Sequence, residues 1–187
     1  MEAKKLFWFM SGQRREFTKK IEASRARVYR VAYAWCHDAA LADDLAQDTL
    51  SRGLENIEQL RDDTRLIGWL LSILHRCWID HLRTRRDFES EEMLAELPTD
   101  APGPEAHAMA RETVRRVRLA IDALPLGQRQ VITLVDLEEL SYAEVAEVLG
   151  IPIGTVMSRV CRARNALRVL LEPARRENQE NQLRCVK

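Results

Sequence analysis

The chain is 187 residues long, with 29 Lys+Arg set against 29 Asp+Glu and a formal net charge of zero. That length suits one or two domains, each able to bury a core of its own, and a composition 31% charged and 46% hydrophobic excludes a wholly disordered chain. The purely apolar runs, Leu6–Met10 among them, are far too short to span a bilayer. Arg14-Arg15 follow that run too closely for a secretory signal, so the expected location is the cytoplasm.

Nearly every segment reads as helix. Strict period-two alternation is absent, and the β-branched run Val131–Val135 lies inside a longer helical pattern. The first helix is predicted over about Gln13–Cys36, with Val28, Ala32, Trp35 and Cys36 at helical spacing. Asp38 is placed to cap a second, about Ala39–Asn56. A third starts near Asp63/Thr64 and runs to about Arg86. Its Leu66, Trp69, Leu70, Ile73, Leu74, Cys77, Trp78 and Leu82 repeat at i, i+3, i+4, i+7. Between Asp87 and Ala110 the pattern breaks: Pro98, Pro102 and Pro104 stand among acidic residues, which block helix continuation and repel one another, as in a linker. Four shorter helices follow, about Glu112–Ala123, Leu126–Asp136, Tyr142–Leu149 and Ile153–Leu171. The expected architecture is all-α. It comprises an N-terminal three-helix bundle over 13–87, a flexible acidic linker over 88–110, a C-terminal four-helix domain with a helix-turn-helix over 111–172, and a frayed tail over 173–187.

The strongest local signal lies in residues 141–164. Ser141 with Glu144 forms a capping box, Gly150 supplies the left-handed residue that ends the short helix, and Pro152 suits the first turn of the next, which together make a helix-turn-helix. In the second helix Val156, Val160, Ala163, Leu167 and Leu170 face inward. Thr155, Ser158, Arg159 and Arg162 share another face, flanked by Arg164 and Arg168, and residues 150–171 contain no acid. A recognition helix needs this division, with short polar side chains and arginines at base edges and phosphates. A solvated basic face on a core helix is the competing reading.

Two further faces stand out. On the second helix Asp44, Gln47, Asp48, Ser51 and Glu55 lie along one stripe beside Leu41 and Leu45. No histidine or Ser/His/Asp arrangement accompanies these carboxylates, so the choice is between a solvated face and a docking surface for a basic protein. The end of the third helix carries His75, Arg76, Asp80, Arg83, Thr84, Arg85 and Arg86. These either complement the helix dipole or grip phosphates. Charge therefore alternates by block along a neutral chain, basic over 1–37 and 64–87 and acidic over 38–63 and 88–112, which suits separate surfaces for unlike partners. Cys36, Cys77, Cys161 and Cys185 make no C-x-x-C pair, so no disulfide framework is expected. His75, Cys77 and His81 have metal-ligand residue types at close spacing but too few companions, and neither a metal nor another cofactor is expected.

In this order these faces resemble a bacterial sigma factor of the sigma-70 family, in its small extracytoplasmic-function (group IV) class. Asp43-Asp44-Leu45-Ala46-Gln47-Asp48 resembles the acidic motif that grips the clamp helices of the RNA polymerase β′ subunit. Gly68-Trp69-Leu70-Leu71-Ser72-Ile73, running on to Asp80-His81-Leu82-Arg83, resembles the helix that reads the promoter −10 element. Ala123-Leu124-Pro125 through Arg129, then Ser141-Tyr142 through Arg164, resembles the region that reads the −35 element. The resemblance spans about residues 20–171. It implies a non-enzymatic initiation factor that directs polymerase core to promoters under the control of an anti-sigma factor and takes no small-molecule substrate. It implies core binding by Asp43, Asp44, Gln47, Asp48, Ser51 and Glu55, and −10 contacts from Arg61, Arg65, Trp69, His75, Arg76, Asp80, Arg83, Arg85 and Arg86. The −35 contacts would come from Thr155, Ser158, Arg159, Arg162 and Arg164. The acidic linker would lie in the RNA-exit path. His75 and Cys77-Trp78 depart from the residues more usual in the −10 helix, and Met157 stands where lysine is common. A helix-turn-helix regulator with a sensing N-terminal domain would explain residues 112–171 equally well but not Asp43–Asp48 or Trp69–Arg86. A helical metalloenzyme is the third class considered.

Overall fold

The computed structural model describes residues 15–60, 62–89 and 108–184, with side chains over 15–60, 62, 64–85 and 115–172. Arg61, the side chain of Arg86, the linker over 90–107 and Cys185 lie outside the described residues. The helix expected over Gln13–Cys36 is two helices, α1 (15–23) and α2 (Arg25–Cys36). Ser24 interrupts them: its hydroxyl donates to the Lys20 carbonyl at 2.8 Å, and its N–H is shared between the Lys20 and Ile21 carbonyls. His37 ends α2 in the left-handed region, at φ 55°. Asp38 then caps α3 (Ala39–Glu55), accepting from the N–H groups of Ala40 and Leu41 at 2.8 and 3.0 Å. Two short 3-10 turns, Ile57–Gln59 and Asp63–Arg65, lead into α4 (Leu66–Glu89). Helices α2, α3 and α4 pack on one another. The α3–α4 contact is close enough that a Cβ on Gly53 would lie 2.9 Å from Cδ2 of Leu70, so glycine is what permits it.

The C-terminal helices are α5 (Ala108–Asp122), α6 (Leu126–Ile132), α7 (Tyr142–Leu149) and α8 (Ile153–Arg184). The β-branched run is helical, but its end widens into a π turn, Thr133–Leu137, closed by Glu138 N–H on the Thr133 carbonyl at 3.1 Å. Glu139 follows at φ 58°. The α8 backbone continues through Pro173 to Arg184 instead of ending near Leu171. Residues 174–184 are mostly good helix formers, and they outweigh one proline. Among the described residues no helix is long and apolar enough to cross a membrane.

The two groups of helices share one core. α4 lies against α7, and α2 lies against α5, α6 and the π turn. This differs from two bundles held only by a tether, and the reason lies in α4. Leu70 and Cys77 face α3, where they meet Gly53 and Thr49. His75 faces α6 and meets Gln130, its Nδ1 lying 3.3 Å from the amide nitrogen. Leu71 and Trp78, both buried, fall one helical turn either side of His75 and so lie on that second face. The periodic apolar stripe is thus wide enough to serve two neighbours.

The seam between the groups also holds polar pairs. Arg27 donates to the buried Glu138 carboxylate and, at 3.0 Å, to the Glu138 carbonyl. Arg129 donates to the Trp35 carbonyl at 2.9 Å, and His37 Nε2 lies 3.5 Å from Asp122. Burial lowers the pKa of both His37 and His75; Arg129 adds to the effect on His37 against the pull of Asp122, and Arg76 adds to that on His75. A histidine with a depressed folded-state pKa takes up its proton more readily when unfolded. The stability it contributes is therefore present above its ordinary value near 6.5 and is lost as the pH falls below it. The thermal midpoint is expected to fall between pH 7.5 and pH 5.5, and a His37→Gln/His75→Gln chain, followed by circular dichroism, is expected to show a flatter profile.

Candidate functional site

The acidic face is built on α3. Asp44, Gln47, Asp48, Ser51 and Glu55 are all exposed and share one stripe, opposite the buried Ala42, Leu45, Ala46, Thr49 and Gly53. Among the described residues Asp44, Asp48 and Glu55 have no ion pair, so their charges are open to a partner. Asp43 is different: it is half-buried, paired with Arg25 of α2, and accepts from Gln47 Nε2 at 2.9 Å. It braces α3 on α2 and orients Gln47.

The second face runs along α4. Arg65, Trp69, Arg76 and Arg83 recur at spacings of four and seven and so share one side of the helix. Arg76 and Arg83 are exposed, and Trp69 is half-buried with its ring over Gly53. Asp80 lies 3.6 Å from Arg52 and 3.9 Å from Arg83, so it is tied to local cations. Arg65, exposed, faces Glu144 of α7. The Glu144 carboxyl is held below its usual range by its hydrogen bonds with Ser141, and Arg65 adds to that. Arg85 is exposed on the last described turn. His75 is not on this face: it is half-buried in the seam and sits edge-on to the Trp35 ring at 6.1 Å.

The third face is on α8, and its helix-turn-helix has the expected joints. Ser141 Oγ accepts from Glu144 N–H at 3.3 Å, and Glu144 Oε2 accepts from Ser141 N–H at 2.8 Å. Gly150 closes α7 at φ 63°. Val156, Val160 and Ala163 are buried. Thr155, Ser158 and Arg159 are half-buried and Arg162 is exposed, all on one side. The Arg159 guanidinium extends over Gly127, where a Cβ would come within 3.0 Å of Nη1, so it is steered toward the start of α6. Arg164 lies roughly 180° around the helix from Thr155. Asp136 holds it, with Nη2 to Oδ1 at 2.6 Å and Nε to Oδ2 at 3.3 Å, and this pairing raises its pKa.

The seam residues Arg27, Arg129 and Glu138 were absent from the candidates. Glu138 stands beside Glu139 and near Asp136 and looks like either of them in sequence, and its partner lies 111 residues away with no local pattern to connect them. His75, Cys77 and His81 do not converge: His75 meets Gln130, Cys77 faces α3, and His81 stacks on Trp78 at 5.8 Å. Among the described residues no group of three or more His, Cys, Asp or Glu is placed to hold a metal ion.

Comparison with known proteins bears on these faces together. The family model for sigma-70 region 2 matches residues 21–88, and that for sigma-70 region 4 matches residues 115–167. The chain is 38% identical over 136 residues to the ECF RNA polymerase sigma factor EcfG of Rhodopseudomonas palustris (strain TIE-1), covering 72% of this chain and 73% of that one. It is 35% identical over 162 residues to the ECF RNA polymerase sigma factor SigC of Mycobacterium tuberculosis (strain CDC 1551 / Oshkosh), covering 87% and 86%. Among solved structures it is similar to the sigma factor RpoE in its co-crystal with the anti-sigma factor NepR from Bartonella quintana. There the TM-score is 0.68 and the identity 26%, over 84% of this chain and 97% of that one.

The geometry separates two arginines that look alike in sequence. Arg164→Ala is expected to lower stability by no more than about 1 kcal/mol, the scale of an exposed ion pair. Its effect on DNA binding is expected to be smaller than that of Arg162→Ala, as denaturant titration and fluorescence anisotropy of the two variants would show.

Proposed function

Because the chain belongs to the sigma-70 family of bacterial RNA polymerase sigma factors, in its extracytoplasmic-function class, it is a transcription initiation factor and not an enzyme, and we propose that three of its faces divide the work. The exposed acidic stripe of Asp44, Gln47, Asp48, Ser51 and Glu55 docks on the clamp helices of the polymerase β′ subunit, where charge complementarity sets register and association rate. Asp43 acts from behind, through Gln47. The observation that carries this division is the segregation of open charge: on α3, Asp44, Asp48 and Glu55 have no ion pair among the described residues, and the basic face of α8 lies in a stretch, 150–171, that holds no acid.

Along α4, Arg65, Arg76 and Arg83 engage the strand at the −10 element by its phosphates. Trp69, its ring backed by α3, offers a stacking platform for an unpaired base. Holding an unstacked base costs only a few kcal/mol, so this face helps open the duplex. In the C-terminal unit α8 enters the major groove at the −35 element, with Thr155, Ser158, Arg159 and Arg162 toward the bases and backbone. The acidic linker, expected over 88–110 and bounded by α4 and α5 to 90–107, would occupy the RNA-exit path, where its charge imitates nucleic acid. RpoE was crystallised with the anti-sigma factor NepR, and that likeness supports control of this chain by an anti-sigma protein. The expected location is the cytoplasm, where polymerase and promoters are found.

The reading is tested by adding the purified chain to core polymerase on a promoter library. Promoter-selective initiation is expected, and none above core alone would overturn the reading. Within that assay the Asp44→Arg/Asp48→Arg variant is expected to lose core affinity while keeping its fold by circular dichroism; full core affinity would remove the α3 assignment. Arg159→Ala and Arg162→Ala are each expected to cost about 1–3 kcal/mol of −35 binding, with unchanged affinity in both variants ruling out the recognition face.

A further inference from the structure

The outward surface of α8 is wider than its polar face. At about 100° per residue, Ser158 lies roughly opposite the buried Val156, Val160 and Ala163. On one side of Ser158 stand Arg162, Thr155 and Arg159, the last two half-buried. On the other side Cys161, Met157 and Ile153 recur every four residues and are all exposed, Met157 at 53% and Ile153 at 49%. Within residues 153–164 the one arginine on that second flank is Arg164, and Asp136 holds its guanidinium at 2.6 Å. The surface is thus split lengthwise, with cations and hydroxyls along one half and uncovered apolar side chains along the other.

The split narrows the choice of partner. A patch for another protein is expected to be continuous and apolar, whereas this strip is one side chain wide and borders arginines. The major groove of DNA offers the matching pattern: charged phosphates at its rims and, on its floor, the thymine 5-methyl as the apolar group among donors and acceptors. A lysine at 157 would reach a phosphate as a point charge. Methionine is unbranched and polarisable and suits a methyl group instead. From Met157 to Cys161 the helix rises about 6 Å, close to two base-pair steps.

We infer that Met157 and Cys161 are specificity-determining residues of α8, and that they select thymines in the −35 element through their 5-methyl groups. Such selection presupposes the −35 reading above and adds a base preference to it. Arg159 and Arg162 then hold the backbone or a guanine, while the apolar half chooses between thymine and the other bases.

The test uses the full chain assembled with core polymerase. Promoters that the parent selects from a random library are expected to carry thymine within the −35 element. Replacing those thymines by deoxyuridine removes only the methyl, and is expected to weaken holoenzyme binding about fourfold per contacted methyl. With Met157→Ala the same replacement is expected to cost less than about twofold at the position Met157 reads, and Cys161→Ser is expected to blunt it at a second position. Met157→Lys is expected to lose the thymine preference while its affinity falls more steeply with salt, as one added phosphate contact requires. All three variants are expected to keep the parent's helical circular dichroism; should Met157→Ala lose it, Met157→Lys decides in its place. Selected −35 elements without thymine would overturn the methyl contact, as would deoxyuridine tolerated at every −35 thymine or discriminated equally by parent and variants. If Arg162→Ala weakens −35 binding while deoxyuridine is tolerated, only the methyl contact falls. If no −35 element emerges from the library, the −35 reading falls and the methyl contact with it.

Discussion

The constraint on which the structure turns is the width of the apolar stripe on α4. A helix in a three-helix bundle needs roughly one apolar face, whereas α4 buries Leu66, Leu70, Ile73 and Cys77 on one side and Leu71 and Trp78 on the next. Each large side chain taken fully out of water contributes about 1.5–3 kcal/mol, well above an exposed ion pair. A second neighbour is therefore required, and the C-terminal unit supplies it through α6 and α7. The polar pairs across the seam are not its main driving force. They decide which apolar apposition forms, because a misplaced Glu138 or Arg129 would leave a buried group unsatisfied.

This separates charges that hold the fold from charges open to a partner. Arg25–Asp43, Arg52–Asp80, Arg164–Asp136 and Arg27–Glu138 each join different helices or turns. Asp44, Asp48 and Glu55 on α3 have no ion pair among the described residues, and Arg162 stands exposed on α8. A chain of zero net charge can thus present an acidic face to one polyelectrolyte and a basic face to another. Long-range attraction to either partner is then local to a helix and does not belong to the whole molecule.

Much of this is legible from local pattern. The Asp38 cap, the Ser141–Glu144 capping box, the Gly150 turn and the inward face of α8 from Val156 to Ala163 all follow from residues within a turn of one another, and the structure places them so; farther along, Leu167 is half-buried and Leu170 is exposed, because the domain core ends before them. The sequence also groups the acidic stripe correctly, because helical periodicity alone sets it. What local pattern does not show shares a cause. Asp43, His75 and Arg164 look equivalent to their neighbours until Arg25, Gln130 and Asp136 arrive from other elements. The break at Ser24 depends on a hydroxyl choosing a carbonyl one turn back, a choice that helix propensity does not register. The merging of two units was hidden for a related reason: a periodicity count scores α4 as amphipathic but does not say how many neighbours its stripe must satisfy.

The same width has a consequence for function. If α4 must face the C-terminal unit to bury Leu71 and Trp78, then parting the seam exposes apolar surface along with the flank that carries His75. An opened chain is not at rest in water: it gains from any partner that covers this flank. A partner that covers this flank would compete with the chain's own α6 and α7 for one surface, and it would be favoured by its differential affinity for the open state. The Glu138–Arg27 pair belongs to that apposition, because a buried carboxylate without its partner is costly. It stands at the edge of the seam, with Arg27 still 39% exposed while the Glu138 carboxylate is buried, so the guanidinium keeps part of its hydration and the carboxylate relies on its protein partners.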